Sequence, residues 1–271
     1  MADTSPIGSP IGSIVQGTAQ ADTLNGSAGS DLIFGYEGSD TLNGKAGNDL
    51  IDGGPGFNLI SGGDGNDVLL AGPDENLMLG GNGADQLVGN NGSDAMLGGA
   101  GDDTLFGGKG LDLAIGGAGN DLMDTGEGLG VHYGGAGSDT FRIGNDILNN
   151  GQADRVVALD FKAGEDKLDL GSGILGAVTR IEDTTIDLRP LVEAAQKTGF
   201  FSNDLPSRLG KLDDVGSAQG DATGALSFFT PNELGFVDAK GVSVFLQGGD
   251  RIDVVGVTRD QLLSLLNTPS S

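Results

Sequence analysis

The sequence predicts a mostly all-β fold, in which a solenoid of short parallel strands precedes a mostly β C-terminal region with one or two short helices. The first observation is a nine-residue repeat that runs from Gly17 to Arg142 without an insertion. The second is the composition, since the chain has 52 glycines and neither cysteine nor tryptophan. The third is the loss of the repeat frame after residue 142, where strand-like alternation follows. We divide the chain into a flexible leader (1–16), a repeat array (17–142) and a C-terminal capping region (143–271).

Each repeat follows the template Gly-Gly-x-Gly-x-Asp-x-U-x, where U is a large apolar residue, and the array holds fourteen copies. The glycine-rich first six positions predict a turn, and the last three predict a short strand whose central side chain points inward. The central series is Leu24, Ile33, Leu42, Ile51, Ile60, Leu69, Met78, Leu87, Met96, Leu105, Ala114, Met123, His132 and Phe141. Two repeats form one coil of eighteen residues, so the turns of odd and even repeats stack in two separate columns.

Position six of the template carries the chemistry of the array. It reads Asp22, Asp31, Asp40, Asp49, Asn58, Asp67, Asn76, Asp85, Asp94, Asp103, Asp112, Asp121, Gly130 and Asp139. Stacked carboxylates repel one another unless a cation lies between them. Oxygen-only surroundings suit Ca²⁺ rather than Zn²⁺. The alternative is a plain solenoid whose aspartates only cap turns, but capping does not require Asp and Gly in fixed phase.

On these residues the array resembles the RTX (repeats-in-toxin, haemolysin-type) calcium-binding parallel β-roll. In that family each Ca²⁺ lies between the turns of repeats n and n+2, held by two Asp carboxylates and by carbonyls of the Gly-rich residues. The resemblance also implies type I secretion, an extracellular location and folding on contact with calcium. On this chain it implies metal ligands at Asp31, Asp49, Asp67, Asp85, Asp103, Asp121, Asp139, Asp22, Asp40, Asp94 and Asp112, with backbone carbonyls of Gly47, Gly63, Gly65, Gly81, Gly83, Gly99, Gly101, Gly117 and Gly119.

The two columns are expected to differ. All seven even repeats keep Asp at position six and Gly at positions one and four, which predicts a filled even ladder. The odd column contains Asn58, Asn76 and Gly130, which predicts an interrupted ladder. Its best sites are expected at Asp22/Asp40 and Asp94/Asp112, while Asp40/Asn58 and Asn76/Asp94 are expected to hold weaker ions.

The charge of the chain limits its partners. The formal net charge is −25, and the array alone has 19 acidic residues against three basic ones. Such a charge disfavours nucleic acid and anionic membrane surfaces. The chain contains no run of 18 apolar residues, so no membrane span is expected.

The flanks of the array are expected to close it. Residues 1–16 are interpreted as a mobile leader or, alternatively, as a segment that covers the first coil. The segment from Asp154 to Leu170 resembles the closing segment that follows RTX arrays, with Val157, Leu159 and Phe161 on one side. Its acidic residues Asp160, Asp166 and Asp169 are interpreted as edge solvation or one more metal site rather than as a catalytic cluster.

The remaining C-terminal pattern is mixed. Helical spacing begins near Leu188, residues 202–224 have loop-like composition, and alternation from Val242 to Leu246 predicts a strand. A second Gly-Asp turn lies at 248–250. The pair Thr258 and Gln261 has the pattern of a capping box that opens a short helix.

The odd strands of the later coils are apolar on both faces, for example Leu77/Leu79, Ala95/Leu97, Leu113/Ile115 and Val131/Tyr133. A strand that is apolar on both faces is normally covered on both. We expect the outer face of these strands to pack against the C-terminal region or a second subunit.

The sequence therefore predicts a secreted, non-enzymatic calcium-binding protein that acts as a structural or adhesion-like module. Its expected partners are calcium, the type I secretion machinery, and extracellular polysaccharide, a cell surface or a copy of itself.

No H-E-x-x-H, G-x-S-x-G or P-loop motif is present, and the single histidine, His132, falls at an interior position. Catalytic domains of RTX enzymes precede their arrays, and sixteen residues precede this one. The alternatives are an extracellular enzyme with an active site in residues 171–247, and an ice-binding grid that Leu59, Leu77 and Leu79 would interrupt.

Overall fold

The computed structural model describes residues 11–148, 151–187 and 238–266, which form a parallel β-roll of about seven coils followed by a mostly β cap. The seven strands of the even repeats, with one strand before the array and one after it, form a sheet of nine strands, here called the even sheet. In order across the sheet they are β1 (Ile11–Gln16), β3 (Ser30–Phe34), β5 (Leu50–Asp52), β7 (Val68–Leu70), β9 (Gln86–Val88), β11 (Thr104–Phe106), β13 (Leu122–Asp124), β15 (Thr140–Ile143) and β17 (Lys167–Leu170).

The seven strands of the odd repeats and four strands of the cap form the odd sheet, which has eleven strands. Its cap strands lie at one edge. In order they are β18 (Val178–Asp187), β19 (Asp238–Leu246), β20 (Arg251–Val255), β16 (Arg155–Ala158), β14 (Glu127–Ala136), β12 (Lys109–Ala118), β10 (Ala95–Ala100), β8 (Leu77–Asn82), β6 (Leu59–Asp64), β4 (Thr41–Ala46) and β2 (Thr23–Asn25).

Neighbouring strands pair in register eighteen residues apart, as the coil of two repeats predicts. Ile33 pairs with Ile51 in the even sheet, and Met78 pairs with Met96 in the odd sheet. From Ile33 to Phe141 every residue of the central series is fully buried, and only Leu24 at the open end is partly exposed. This apolar column is the core of the roll.

Strand β1 covers the first even coil. It runs parallel to β3, and Val15 pairs with Ile33. Of the two interpretations of residues 1–16, the structure therefore places Ile11–Gln16 in a covering strand, while residues 1–10 lie outside the described part of the chain.

Both sheets continue beyond Arg142 into the cap. Strand β17 adds to the even sheet in parallel, and β16 and β20 add to the odd sheet in parallel. Strands β18 and β19 then complete the odd sheet with antiparallel pairing. The nonapeptide frame ends at residue 142, but the hydrogen-bonded roll does not.

The expectation for the closing segment was wrong for Phe161. Val157 and Leu159 do share the outer face of the odd sheet, but β16 ends at Ala158 and the chain then turns. Phe161 instead packs edge-to-face on Phe141, with ring centroids 5.4 Å apart, and closes the core column.

Two short helices and two 3₁₀ turns complete the described cap. The helices are α1 (Ile174–Ala177) and α2 (Arg259–Leu266), and the 3₁₀ turns are η1 (Asn145–Ile147) and η2 (Gln247–Gly249). The capping box is confirmed, because the Gln261 carboxamide oxygen accepts the Thr258 N–H at 2.8 Å and the Thr258 hydroxyl accepts the Gln261 N–H at 3.4 Å. The Leu262 side chain of α2 is fully buried.

The outer face of the odd sheet is buried, as its apolar composition predicts. Leu77, Leu79, Leu97 and Ile115 are each exposed by 3% or less. The same cluster contains side chains from the cap strands, of which Ile186 is fully buried.

The predicted helical segment near Leu188 and the loop at 202–224 lie outside the described residues, as does most of the segment 171–247. No helix in the described ranges is long and apolar enough to cross a membrane.

Candidate metal centre

The side chain at position six is buried in almost every turn. From Asp31 to Asp139 each of these aspartates and asparagines is exposed by 3% or less. One side-chain oxygen, Oδ1, accepts the backbone N–H of the position-six residue one coil earlier, for instance from Asp67 to Asp85 at 2.8 Å. This hydrogen bond repeats along both columns and stacks the coils.

The second carboxylate oxygen, Oδ2, has no hydrogen-bond partner in most of these turns. Among the described residues the unpartnered, buried Oδ2 atoms in the array are those of Asp49, Asp67, Asp85, Asp103, Asp121 and Asp139 in the even column and Asp40, Asp94 and Asp112 in the odd column. A buried acceptor without a donor is costly, and repeated instances require an explanation. Six consecutive even turns have the same orphaned atom, so the even column lacks a repeating positive group.

The glycine at position one leaves the space into which this oxygen faces. A Cβ placed on Gly80 would lie 2.5 Å from both Asp85 Oδ2 and the carbonyl oxygen of Gly98 in the next coil. Gly89 has the same relation to Asp94 Oδ2 and Gly107 O. Any side chain at position one would fill a space that is bordered by oxygen atoms.

Glycines at positions two and four allow the turns to stack closely. Gly63 and Gly65 have φ values of 110° and 128°, which L side chains rarely adopt. A Cβ on either residue would also collide with the carbonyl oxygen of the equivalent residue one coil earlier, Lys45 or Gly47. These carbonyl-lined turns therefore depend on glycine for both conformation and space.

Asn58 shows which carbonyls surround the second polar atom of position six. Its Oδ1 accepts the Asp40 N–H at 2.9 Å, which identifies the other atom as the amide Nδ2. Nδ2 donates to Gly54 O at 2.9 Å and to Gly56 O at 3.1 Å, at positions two and four of its own turn. In the aspartate turns an oxygen replaces this nitrogen. Carboxylate and carbonyl oxygens then face one another with no proton between them, and that arrangement fits a cation.

The expected weak sites beside Asn58 and Asn76 have an N–H group where a ligand oxygen was anticipated. Asn76 Nδ2 donates to Asp74 O at 2.5 Å and to Asp94 Oδ1 at 3.1 Å. A carboxamide can present one oxygen, and in both residues that oxygen already accepts a backbone N–H, for Asn76 that of Asn58. These two turns satisfy their carbonyls from within the chain.

Burial shifts the protonation of the position-six carboxylates. Desolvation raises the pKa of Asp67 to about 7 and that of Asp103 to about 8, with neighbouring aspartates in the column adding to the effect. Desolvation likewise raises the pKa of Asp94 to about 9, with a further contribution from Asp112. With no cation present, these groups resist carrying a negative charge.

The donor set fits a hard cation. The described residues contain no group of three His, Cys, Asp or Glu side chains that could hold a metal, so backbone carbonyls have to complete each site. Carboxylate plus carbonyl oxygens match Ca²⁺, which takes six to eight oxygen ligands in flexible geometry. The backbone ligands expected from the sequence lie at positions two and four, which are the positions whose carbonyls accept the Asn58 amide in its own turn. The position-one carbonyls, such as Gly98 O, were not anticipated from the sequence.

The N-terminal ends of both ladders are satisfied by the protein. Asp22 Oδ2 accepts the Thr18 N–H at 2.6 Å, and Asp31 Oδ2 accepts the Ser27 N–H at 2.6 Å. Ser13 of β1 donates its N–H to Asp31 Oδ1. Two of the eleven aspartates expected to bind metal are therefore placed in the columns but already hold donors.

The C-terminal end of the even ladder meets a lysine. Lys162 Nζ donates to Gly135 O at 2.9 Å, a position-two carbonyl of the last even repeat. Asp160 accepts the N–H groups of Gly134 and Gly135 at 2.7 and 2.8 Å, and Asp166 accepts that of Asp139 at 3.1 Å. Asp160 and Asp166 of the closing segment thus hold the last even turn through backbone hydrogen bonds.

Repeat thirteen reverses the usual pair of residues at positions one and six. Thr125 stands where twelve of the other thirteen repeats have glycine, and Gly130 stands where eleven of them have aspartate, so the Thr125 side chain occupies the space beside Gly130. His132 Nε2 accepts the Thr125 N–H at 3.2 Å and lies 3.0 Å from its hydroxyl, which places the ring proton on Nδ1. Burial lowers the pKa of His132 to about 3, so the ring is neutral.

One carboxylate outside the array also has a buried oxygen without a hydrogen-bond donor. Asp250 is exposed by 1%, and its Oδ2 has no partner in the described part of the chain. The Gly-Gly-Asp turn at 248–250 was the sequence signal for it.

Comparison with known proteins supports the repeat assignment. The family model described as RTX calcium-binding nonapeptide repeat (4 copies) matches residues 16–51, 43–78, 52–87, 71–105, 79–114 and 97–129. No curated protein matches the chain. Among solved structures, the extracellular lipase LipA from Serratia marcescens is similar at 16% identity and a TM-score of 0.20, over 92% of this chain and 38% of that one. The chain thus spans well under half of that lipase, and a score so low carries no argument about activity. The matched repeats and the stacked aspartate turns that they build identify residues 16–129 as an array of RTX calcium-binding nonapeptide repeats, folded as a parallel β-roll.

Proposed function

We propose that this chain is a secreted, non-enzymatic protein whose roll folds on meeting extracellular calcium and then serves as a structural or adhesion-like module. The observation that carries the proposal is the run of six buried even-column aspartates, each with an oxygen that lacks a donor among the described residues. The stacked acceptors explain why the folded roll needs cations.

The ligands are assigned turn by turn. In the even column, Ca²⁺ ions lie between the turns of Asp31, Asp49, Asp67, Asp85, Asp103, Asp121 and Asp139, with carbonyls from the glycine positions completing each site. The Asp31/Asp49 site is the weakest of these, since Ser27 already donates to Asp31. In the odd column the Asp94/Asp112 pair is the best site, because both Oδ2 atoms lack a donor in the described chain. The Asp22/Asp40 pair is weaker, since Thr18 already donates to Asp22.

The calcium affinity sets where folding occurs. Extracellular calcium modules bind at roughly 10⁻⁴ to 10⁻³ M, well above cytosolic calcium. Inside the cell the acidic array therefore stays unfolded, in the form that a type I secretion channel takes, and outside the cell calcium binding drives folding. Extracellular polysaccharide, a cell surface or a second copy of the chain is the proposed partner of the folded protein.

The test is far-UV circular dichroism of the full chain in EDTA and in millimolar Ca²⁺, read together with the metal content. We expect a cooperative gain of β-structure with several bound ions per chain. Equal β-structure in EDTA and in calcium would overturn the proposal. Mg²⁺ at the same concentration is the control, because its demand for octahedral geometry disfavours such carbonyl-rich sites.

The alternative function, an enzyme with its active site in residues 171–247, concerns a segment of which 188–237 lie outside the described residues. Screening the calcium-folded protein against ester, peptide and glycoside substrates separates the two functions. Turnover that is lost on deleting residues 188–237, while the calcium-induced circular dichroism signal persists, would favour the enzyme.

A further inference from the structure

Asp154 and Asp250 repeat the hydrogen bonds of the ladder in the cap, at the edge of the odd sheet and two residues before the register of position six, because Gly130 pairs with Val156 and the Gly128 N–H donates to Asp154 Oδ1 at 3.1 Å. The Asp154 N–H donates to Asp250 Oδ1 at 3.1 Å, and the Arg251 N–H donates to Asp154 O at 2.8 Å. Inside the array the pair Asp94 and Asp112 has the same two bonds, at 2.9 Å to Oδ1 and 2.8 Å from the Leu113 N–H to Asp94 O. The Asp154/Asp250 contact therefore reproduces one rung of the calcium ladder, although the two residues are 96 positions apart in the chain.

The Asp250 carboxylate divides its oxygens as the ladder aspartates do. Oδ1 faces the Asp154 turn through the hydrogen bond, while Oδ2 is buried and has no donor in the described chain. The turn before it contains Gly248 and Gly249, with φ values of 94° and 108°, so it also depends on glycine at positive φ, although its glycines are spaced differently from those of the repeat. Asp154 is itself exposed by only 2%.

The nearest basic side chains are engaged elsewhere. Arg251 Nε donates to Asp253 Oδ1 at 2.6 Å, and Arg155 Nε donates to Asp253 Oδ2 at 2.7 Å. Both arginines therefore neutralise the fully buried Asp253 carboxylate rather than Asp250. A buried carboxylate oxygen next to a second buried carboxylate calls for a cation from solution.

We propose that the turns of Asp154 and Asp250 bind one further Ca²⁺ ion, outside the nonapeptide repeats, which fastens the C-terminal hairpin β19–β20 to the roll. The hairpin pairs with the roll through β16 and β20, and the ion lies at the start of that pairing. Calcium then has two roles, since it orders the repeats and also closes the cap over their last coil. The identity of the ion rests on the proposed function, whereas the site itself rests on the Asp154/Asp250 geometry.

The first test counts bound calcium by native mass spectrometry in the full-length Asp250→Asn variant. Asparagine keeps the oxygen that accepts the Asp154 N–H, and the chain already tolerates asparagine at the equivalent positions 58 and 76, so folding should persist. We expect one ion fewer per chain than in the unchanged protein. The matched control is Asp260→Asn, which removes the same charge from an exposed position in α2 and should keep the full count. An unchanged count in Asp250→Asn would overturn the proposal.

The second test uses the unchanged protein and does not depend on the variant folding. Crystals grown with Ca²⁺ should show a calcium anomalous peak about 2.3–2.6 Å from Asp250 Oδ2. Peaks along the even column without one beside Asp250 would overturn this inference and leave the proposed function intact. The absence of peaks in both places would overturn the proposed function as well.

Discussion

The even and odd turn columns have the same backbone arrangement, but the buried oxygen atoms of their turns find partners in different ways. In the even column six successive aspartates each have an oxygen without a described donor, so that column depends on cations from outside. In the odd column, Asn58, Asn76 and the Thr125–His132 pair supply N–H groups or fill the space from within the protein. One replacement of oxygen by nitrogen at position six therefore exchanges a metal site for an internal hydrogen bond. The turns at the centre of the odd column therefore satisfy their carbonyls without metal, whereas the turns of the even column do not.

The largest expected effect separates Asp85→Ala from Asn76→Ala. Asp85 borders two even gaps, and two sites at free calcium near a hundred times Kd contribute about 5 kcal/mol in total. Asn76→Ala removes the amide hydrogen bonds to Asp74 in its own turn and to Asp94 in the next coil, which costs about 1–3 kcal/mol. Thermal unfolding of both variants in Ca²⁺ measures the difference. Equal losses would show that the two columns depend on metal to the same extent.

The second effect is that the stability of the metal-free protein depends on pH. The folded pKa of Asp67 is about 7 and that of Asp103 about 8, both above the ordinary value of 3.8, so the folded state retains protons that the unfolded state releases. The stability of the metal-free roll is therefore greatest at acid pH and declines as the pH rises from about 4 to about 8. Calcium competes with these protons, so its affinity rises over the same interval. Far-UV circular dichroism in EDTA across this range provides the test, because the metal-free chain should gain β-structure as the pH falls, and β-structure that increased with pH would contradict the expectation.

The third change gives one turn of the odd column the position-six residue of the even column. Asn58→Asp replaces the amide that donates to Gly54 and Gly56 with a carboxylate, beside the orphaned Oδ2 of Asp40. We expect one additional calcium ion per chain, with lower stability in EDTA and higher stability in calcium. Asn66→Asp is the control, because it makes the same change at an exposed position five whose side-chain oxygen remains an acceptor for the Ala84 N–H. The same change in calcium count and stability in both variants would show that position six has no special role in binding calcium.

The smallest effect concerns the glycine at position one. Gly80→Ala would place a methyl group 2.5 Å from Asp85 Oδ2 and Gly98 O, which narrows an even site. In the odd column, the Cβ of Gly53→Ala would meet Asn58 Nδ2 at 2.9 Å and Ile60 Cδ1 at 3.0 Å, with no carboxylate among its nearest atoms. We expect Gly80→Ala to weaken calcium binding by several-fold and Gly53→Ala to lower stability without altering the calcium midpoint. Calcium titrations followed by circular dichroism compare the two, and the same midpoint shift in both would contradict the expectation.

The sequence alone determined the period, the coil of eighteen residues, the core column and the cation chemistry of the turns. It could do so because a solenoid has only nearest-neighbour contacts, so that a local pattern is also the tertiary pattern. The buried outer face of the odd sheet followed from the same logic, since Leu77 and Leu79 flank an inward residue on the same strand.

Only the tertiary structure decided at which turns a donor from the chain itself, rather than a cation, binds the oxygen atoms of the repeat. The Asn58 amide, the Ser27 and Thr18 donors and the Lys162 ammonium all engage atoms that the repeat leaves open. Which atom of a side chain faces a carbonyl depends on hydrogen bonds made by its other atom, and a residue type does not specify that. The Asp154/Asp250 rung was beyond sequence reasoning for a related reason, because the cap returns the chain to the odd sheet after 96 residues and no period connects the two turns.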